Sequence, residues 1–91
     1  MKFEVRLADG ARDAFHERRE PEDPKDRESF HRYWFDGRRL DDGSLSVDEM
    51  EQLCHYDMNA ARWRHANPTQ QRRVAFYRPN SWVSYATVPE A

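Results

Sequence analysis

Residues 2–7 alternate without a break: Phe3, Val5 and Leu7 fall on one side, and Lys2, Glu4 and Arg6 on the other. A period of two with one apolar side is the pattern of a strand with one wetted face. Asp9-Gly10 ends it. Residues 9–28 then hold one large apolar side chain, Phe15, among many charges, and Pro21-Glu22-Asp23-Pro24 stops any helix begun at Ala11. The expectation for 9–28 is a long, mixed-charge connection, free to move, with at most a turn or two of helix.

Phe30–Phe35 is strand-prone, and Asp36-Gly37 follows it directly, with Arg38-Arg39-Leu40 as the returning strand. Asp-Gly between such runs is a hairpin signal, because both residues tolerate positive φ. Asp42-Gly43 reads as a second turn. Ser46-Val47-Asp48-Glu49 has the form of a capping box, in which the serine hydroxyl takes the third amide of a helix and the glutamate reaches back. Acids near this start and Arg62 and Arg64 near Asn67-Pro68 suit the dipole of a helix ending there. On that helix Val47, Met50, Cys54, Met58, Ala61 and His65 share a stripe, widened by Leu53, Ala60, Tyr56 and Trp63. The apolar arc reaches roughly 220°, against the ~100° that a surface helix needs. Gln71–Arg78 and Trp82–Val88 alternate as strands around a Pro79-Asn80-Ser81 turn.

The element order expected is therefore β, loop, ββ, α, ββ. It describes a single α+β domain over 1–91, a small two-layer sandwich with an antiparallel sheet of about five strands and one main helix across one face.

Composition sharpens this picture. The chain has 91 residues, of which 37% are apolar and 35% charged, with mean hydropathy −1.18. Its 5 Phe, 4 Tyr and 3 Trp can still build a small aromatic core. No apolar run approaches the length of a membrane-crossing helix, so no membrane partner is expected. The first residues lack a secretory apolar segment, and the single cysteine excludes an internal disulfide. Both point to a cytoplasmic protein.

The net charge of −2 hides a segregation. Residues 41–57 carry Asp41, Asp42, Asp48, Glu49, Glu51 and Asp57 with no lysine or arginine, while 59–89 carry Arg62, Arg64, Arg72, Arg73 and Arg78 with no acid. Most basic residues are arginine, which stacks and binds bidentately as lysine does not.

Little points to catalysis. Cys54 and His55 would diverge by about 100° on a helix, and His65 would lie about 16 Å further along it. No metal spacing, nucleotide loop or hydrolase motif occurs, and no cofactor is implied. Asp36, Asp41, Asp42 and His31 near the first hairpin are the available acid–base groups, so a ribonuclease-like Arg/His site is the least poor enzymatic reading.

Two binding readings remain. In the first, a non-catalytic module docks on a larger protein, as a small inhibitor or adaptor such as one from a phage or mobile element. Tyr56, Trp63, Asp48 and Glu51 then form the contact surface, because Trp, Tyr and Arg dominate interface hot spots and segregated charge orients partners. The same arc could close a homodimer. In the second, Arg72, Arg73, Tyr77, Arg78, Tyr85, Arg38 and Arg39 bind single-stranded nucleic acid by stacking and phosphate contact. Alternation requires a choice between Phe30/Arg32/Trp34 and His31/Tyr33/Phe35, since one set must enter the core; the expected surface set is Tyr33, Tyr77 and Tyr85 with Arg73.

Overall fold

The computed structural model describes residues 1–22, 28–65 and 69–90. Strands make up 71% of the described residues and no helix occurs among them, so the α+β sandwich with a main helix gives way to an all-β fold of two antiparallel sheets. In the smaller sheet β1 (Lys2–Leu7) lies between β2 (Arg12–His16) and β8 (Trp82–Val88). The larger is built on β5 (Leu45–Asp57), with β4 (Ser29–Arg39) along one edge and β3 (Arg18–Pro21) beyond β4. The other edge of β5 is shared: β7 (Gln70–Tyr77) pairs with Leu45–Glu51, and β6 (Arg62–His65) with Cys54–Asp57.

The segment expected to be helical is thus a 13-residue strand with ladders on both sides. Its residues have good helix propensity, but propensity is worth tenths of a kcal/mol per residue and tertiary pairing overrides it. The capping-box residues serve other purposes. Ser46 Oγ donates to Asp48 Oδ1 at 3.1 Å and accepts from Arg73 Nε at 2.9 Å, while Glu49 receives two arginines. The wide apolar arc has the same origin: plotted on a helical wheel, a strand with side chains on both faces fills most of the circle.

The Asp36-Gly37 hairpin is also corrected. β4 runs straight through it, with Asp36 opposite Asp48 and Gly37 opposite Val47. The reversal comes at Asp42-Gly43, where Gly43 has φ +89°, the Gly43 N–H donates to the Leu40 carbonyl at 3.0 Å, and the Asp42 carboxylate accepts the Ser44 N–H at 2.8 Å. Likewise the expected 9–28 connection contains β2 and β3, joined to β1 by a turn at Gly10 (φ +92°). Residues 23–27 of that connection, and the expected helix end at Asn67-Pro68, lie outside the described residues. The strands expected at 2–7, 71–78 and 82–88 form at 2–7, 70–77 and 82–88.

The buried core is small: Phe3 and Val5 from β1 meet Leu45 and Val47 from β5, ringed by Leu7, Phe15, Phe35, Ala75, Tyr77 and Trp82. Every large-sheet member of this group belongs to the half of the sheet around Phe35, Leu45–Val47 and Ala75–Tyr77. The other half of β4 and β5, with β3 and β6, reaches past the small sheet as a single layer. The molecule is accordingly elongated, 51 × 29 × 21 Å with a radius of gyration of 16.1 Å. A compact chain of this length would have a radius of about 12 Å. Its surface of 6583 Å² likewise exceeds the ~5600 Å² typical of this mass.

Gly37 marks where the sheets touch. A methyl group there would stand 2.8 Å from both Phe3 Cζ and Tyr85 Cε2. A second tie is the Tyr77 hydroxyl, which donates to Asp13 Oδ2 at 2.6 Å; burial first, and this bond second, push the phenol well above the ordinary tyrosine range. No helix among the described residues is long and apolar enough to cross a membrane.

Candidate functional site

The contact at Gly37 sorts every side chain of the large sheet. Gly37 and its partner Val47 face the small sheet, so alternation and register place Phe35, Tyr33 and His31 of β4 on that inner face with Leu45, Glu49, Glu51 and Leu53 of β5. Phe30, Arg32, Trp34, Asp36 and Arg38 take the outer face, with Ser46, Asp48, Met50, Gln52, Cys54 and Tyr56. Of the two alternating sets in β4, the one expected in the core, Phe30, Arg32 and Trp34, lies on the outer face, with Arg32 exposed and both rings half-buried.

Beyond the core, the inner face is a network of paired charges. Glu49, buried at 6% exposure, receives Arg18 Nη1 at 2.9 Å and Arg72 Nη2 at 3.1 Å. Its own bond to Glu49 first, and one to Glu20 second, raise the Arg18 pKa further, and its guanidinium lies 3.9 Å from the Tyr33 ring centre. His31 Nδ1 is 2.9 Å from Glu51 Oε1, and Arg64 Nε is 2.7 Å from Asp57 Oδ2. Most acids of the 41–57 stretch that lie beyond the core are therefore matched on this side. The expected helix with an acidic start does not exist, and the segregation is between faces of one sheet.

The outer face keeps arginine and aromatic side chains in excess. Arg19 of β3 lies directly across from Arg32, and its guanidinium sits 4.9 Å from the centre of Phe30. Arg32 stands 4.9 Å from the centre of the Trp34 indole, and Arg73 of β7 lies 5.1 Å from that of Phe76. At the far tip Phe30 meets Trp63 edge-on with ring centres 5.0 Å apart, and Tyr56 meets Trp63 at 5.4 Å. Trp63 is 51% exposed and Phe76 47%. Against Arg19, Arg32, Arg38 and Arg73 the described residues set Asp36 and Asp48 on this face, with the exposed Glu28 across from Tyr56 just before β4. Asp48 is buried and already bonded to Ser46 and Gln71. From Phe30 to Arg38 the strand spans roughly 27 Å.

The sequence-derived residues fall as follows. Tyr56 and Trp63 are cross-strand partners on the outer face, but Asp48 is buried towards the other end and Glu51 is inside, against His31. The four do not form one docking surface. Of the arginine and tyrosine set, Arg38 and Arg73 lie outside. Arg72 is tied to Glu49, Tyr77 to Asp13, and Arg39 faces Trp82 at 5.8 Å. Tyr85 stacks on Phe3 with centres 5.6 Å apart, and Arg78 is exposed at the start of the β7–β8 turn. Arg19, Phe30, Arg32, Trp34 and Phe76 complete the outer face. Alternation around Arg32 was the signal available for them, and it lacked the knowledge of which parity faces inward.

Cys54 and His65, expected to be far apart on a helix, are cross-strand partners with Sγ 3.5 Å from Nδ1. The thiol is buried, and among the described residues no third His, Cys, Asp or Glu joins them as a metal-holding group. Of the acid–base groups near the first hairpin, His31 lies on the inner face beside Glu51, Asp36 on the outer face, and Asp41 and Asp42 at the turn before Gly43. No protein-family model matches the chain, and neither a curated protein nor a solved structure does.

Proposed function

We propose that the outer face of the large sheet binds single-stranded nucleic acid, and that the protein works as a binding module. What supports this reading is the excess of arginine, interleaved with the half-buried rings of Phe30 and Trp34 and the exposed rings of Trp63 and Phe76, on the outer face of the large sheet, whose acids lie mainly on the opposite face. Bases stack on aromatic rings and on guanidinium planes, and arginine neutralises phosphates; both need an open, flat, positively charged surface. The total charge of −2 argues against such binding only if the acids share that surface. Arg19, Arg32 and Arg38 would track the backbone, while Phe30, Trp34 and Trp63 would receive bases.

A second reading rests on the Phe30–Tyr56–Trp63 cluster at the tip, in which half-buried Phe30 and Tyr56 support an exposed Trp63 of the kind that anchors protein interfaces. In that case the module docks on a larger protein through the tip, as first expected for Tyr56 and Trp63, but from strands and without Asp48 and Glu51.

Titration of tryptophan fluorescence with short single-stranded oligonucleotides separates the two. Binding should be present at low salt and fall with a log–log slope of roughly −3 if four arginines each displace about 0.7 counterion. Absence of binding at low salt overturns the nucleic-acid reading and leaves the protein-docking one.

A further inference from the structure

The free edges of the two sheets are not alike. β2 carries Arg12, Asp13 and His16, β3 is Arg-Arg-Glu-Pro, β6 is Arg-Trp-Arg-His, and β7 contains Arg72 and Arg73. Charge, proline and short length are the usual devices that keep an edge strand from pairing with another chain. β8 has none of them. It is Trp-Val-Ser-Tyr-Ala-Thr-Val, uncharged over seven residues, and among the described residues it pairs only with β1. Its other side presents a row of unpaired N–H and C=O groups. Pro79 and Pro89 bound the stretch, fixing how far a ladder could extend.

Side chains along the edge show the same lack of cover. Tyr85 stacks on Phe3 and presses on Gly37, as a core residue does, yet remains 39% exposed. Val83 is 60% exposed. The rings at this end of the sandwich are open to water, and no described strand stands beyond β8.

We infer that β8 pairs antiparallel with β8 of a second copy, joining two three-stranded sheets into one of six strands. An uncharged strand is self-complementary under a two-fold axis at any register, because no register sets like charges opposite one another. With the axis at Tyr85, Trp82 meets Val88, Val83 meets Thr87, Ser84 meets Ala86 and Tyr85 meets itself. No pair opposes charges, and Val83–Thr87 is a β-branched pair of the favourable kind. This surface is separate from the outer face of the large sheet, so its fate does not decide the nucleic-acid reading.

Sedimentation of the full chain tests it, with a charge swap as the specific probe. The wild type should sediment at twice the 11.0 kDa of one chain. Ser84→Lys with Ala86→Lys sets two Lys–Lys pairs across the axis and should give monomers, as should Ser84→Glu with Ala86→Glu. Within one chain Ser84 neighbours Arg6 and Ala86 neighbours Glu4, so each double variant gains one favourable and one unfavourable contact with β1 and should stay folded. Mixed in equal amounts, the two variants should recover the dimer through two Lys–Glu pairs. A monomeric wild type at high concentration overturns the inference, as does a dimer that survives in the lysine variant. Failure of the mixture to reassociate also overturns it.

Discussion

Replacing Gly37 with valine should lower stability by about 2 kcal/mol, and the sign of the change is as informative as its size. Glycine in a strand interior is unfavourable, and on an exposed strand the valine would gain up to ~1 kcal/mol. Here the first added carbon lands 2.8 Å from two aromatic rings belonging to the other sheet. Overpacking of that kind costs about 1–3 kcal/mol or somewhat more. Clash wins over propensity at this position because Phe3 is itself nearly fully buried and its ring has little room to give. For a domain of this size the shift in melting temperature should be roughly 8–16 °C downward, out of a total stability of about 5–14 kcal/mol. Urea or thermal unfolding followed by circular dichroism measures it. A stabilised Gly37→Val would mean that the sheets do not meet there, and the assignment of inner and outer faces would fail with it.

The second large effect concerns affinity. Arg19→Gln, Arg32→Gln and Arg38→Gln together should reduce the salt slope of oligonucleotide binding from roughly −3 to below −1 in magnitude, and lower affinity at about 50 mM salt on the order of a few hundredfold. All three arginines are exposed and none bonds a buried acid among the described residues, so folding should be unaffected. Loss of two arginines from the small sheet, Arg6→Gln with Arg12→Gln, should leave the slope near its original value. Equal losses in the two variants would point to diffuse attraction without a defined face.

How much of this was visible beforehand depends on the element. β1, β7 and β8 were legible because strict alternation has no helical counterpart. Residues 46–57 were not, for a geometric reason: Met50, Cys54 and Met58 recur every four residues, a spacing that periods of 2 and 3.6 both accommodate. The breadth of the apolar arc is itself the sign of a strand, since a period of two places apolar side chains on both faces. Asp36-Gly37 misled in the same way. Its glycine answers to the close approach of Phe3 and Tyr85, a contact between segments far apart in the chain that no local pattern encodes. The same long-range contact decides which half of Phe30–Phe35 faces inward, and so which arginines remain available. Cys54 and His65 became neighbours only once a strand pair replaced the helix between them.

The most direct test of the face assignment is to observe the arginine Nε–H and tryptophan indole signals of isotopically labelled protein while a short single-stranded oligonucleotide is added. The outer-face signals of Arg19, Arg32, Arg38, Trp34 and Trp63 should shift together and saturate, while Arg18, Arg64 and Arg72, paired on the inner face, and Trp82 stay in place. Shifts centred on Arg18 and Arg72, or spread evenly over both faces, would contradict the account.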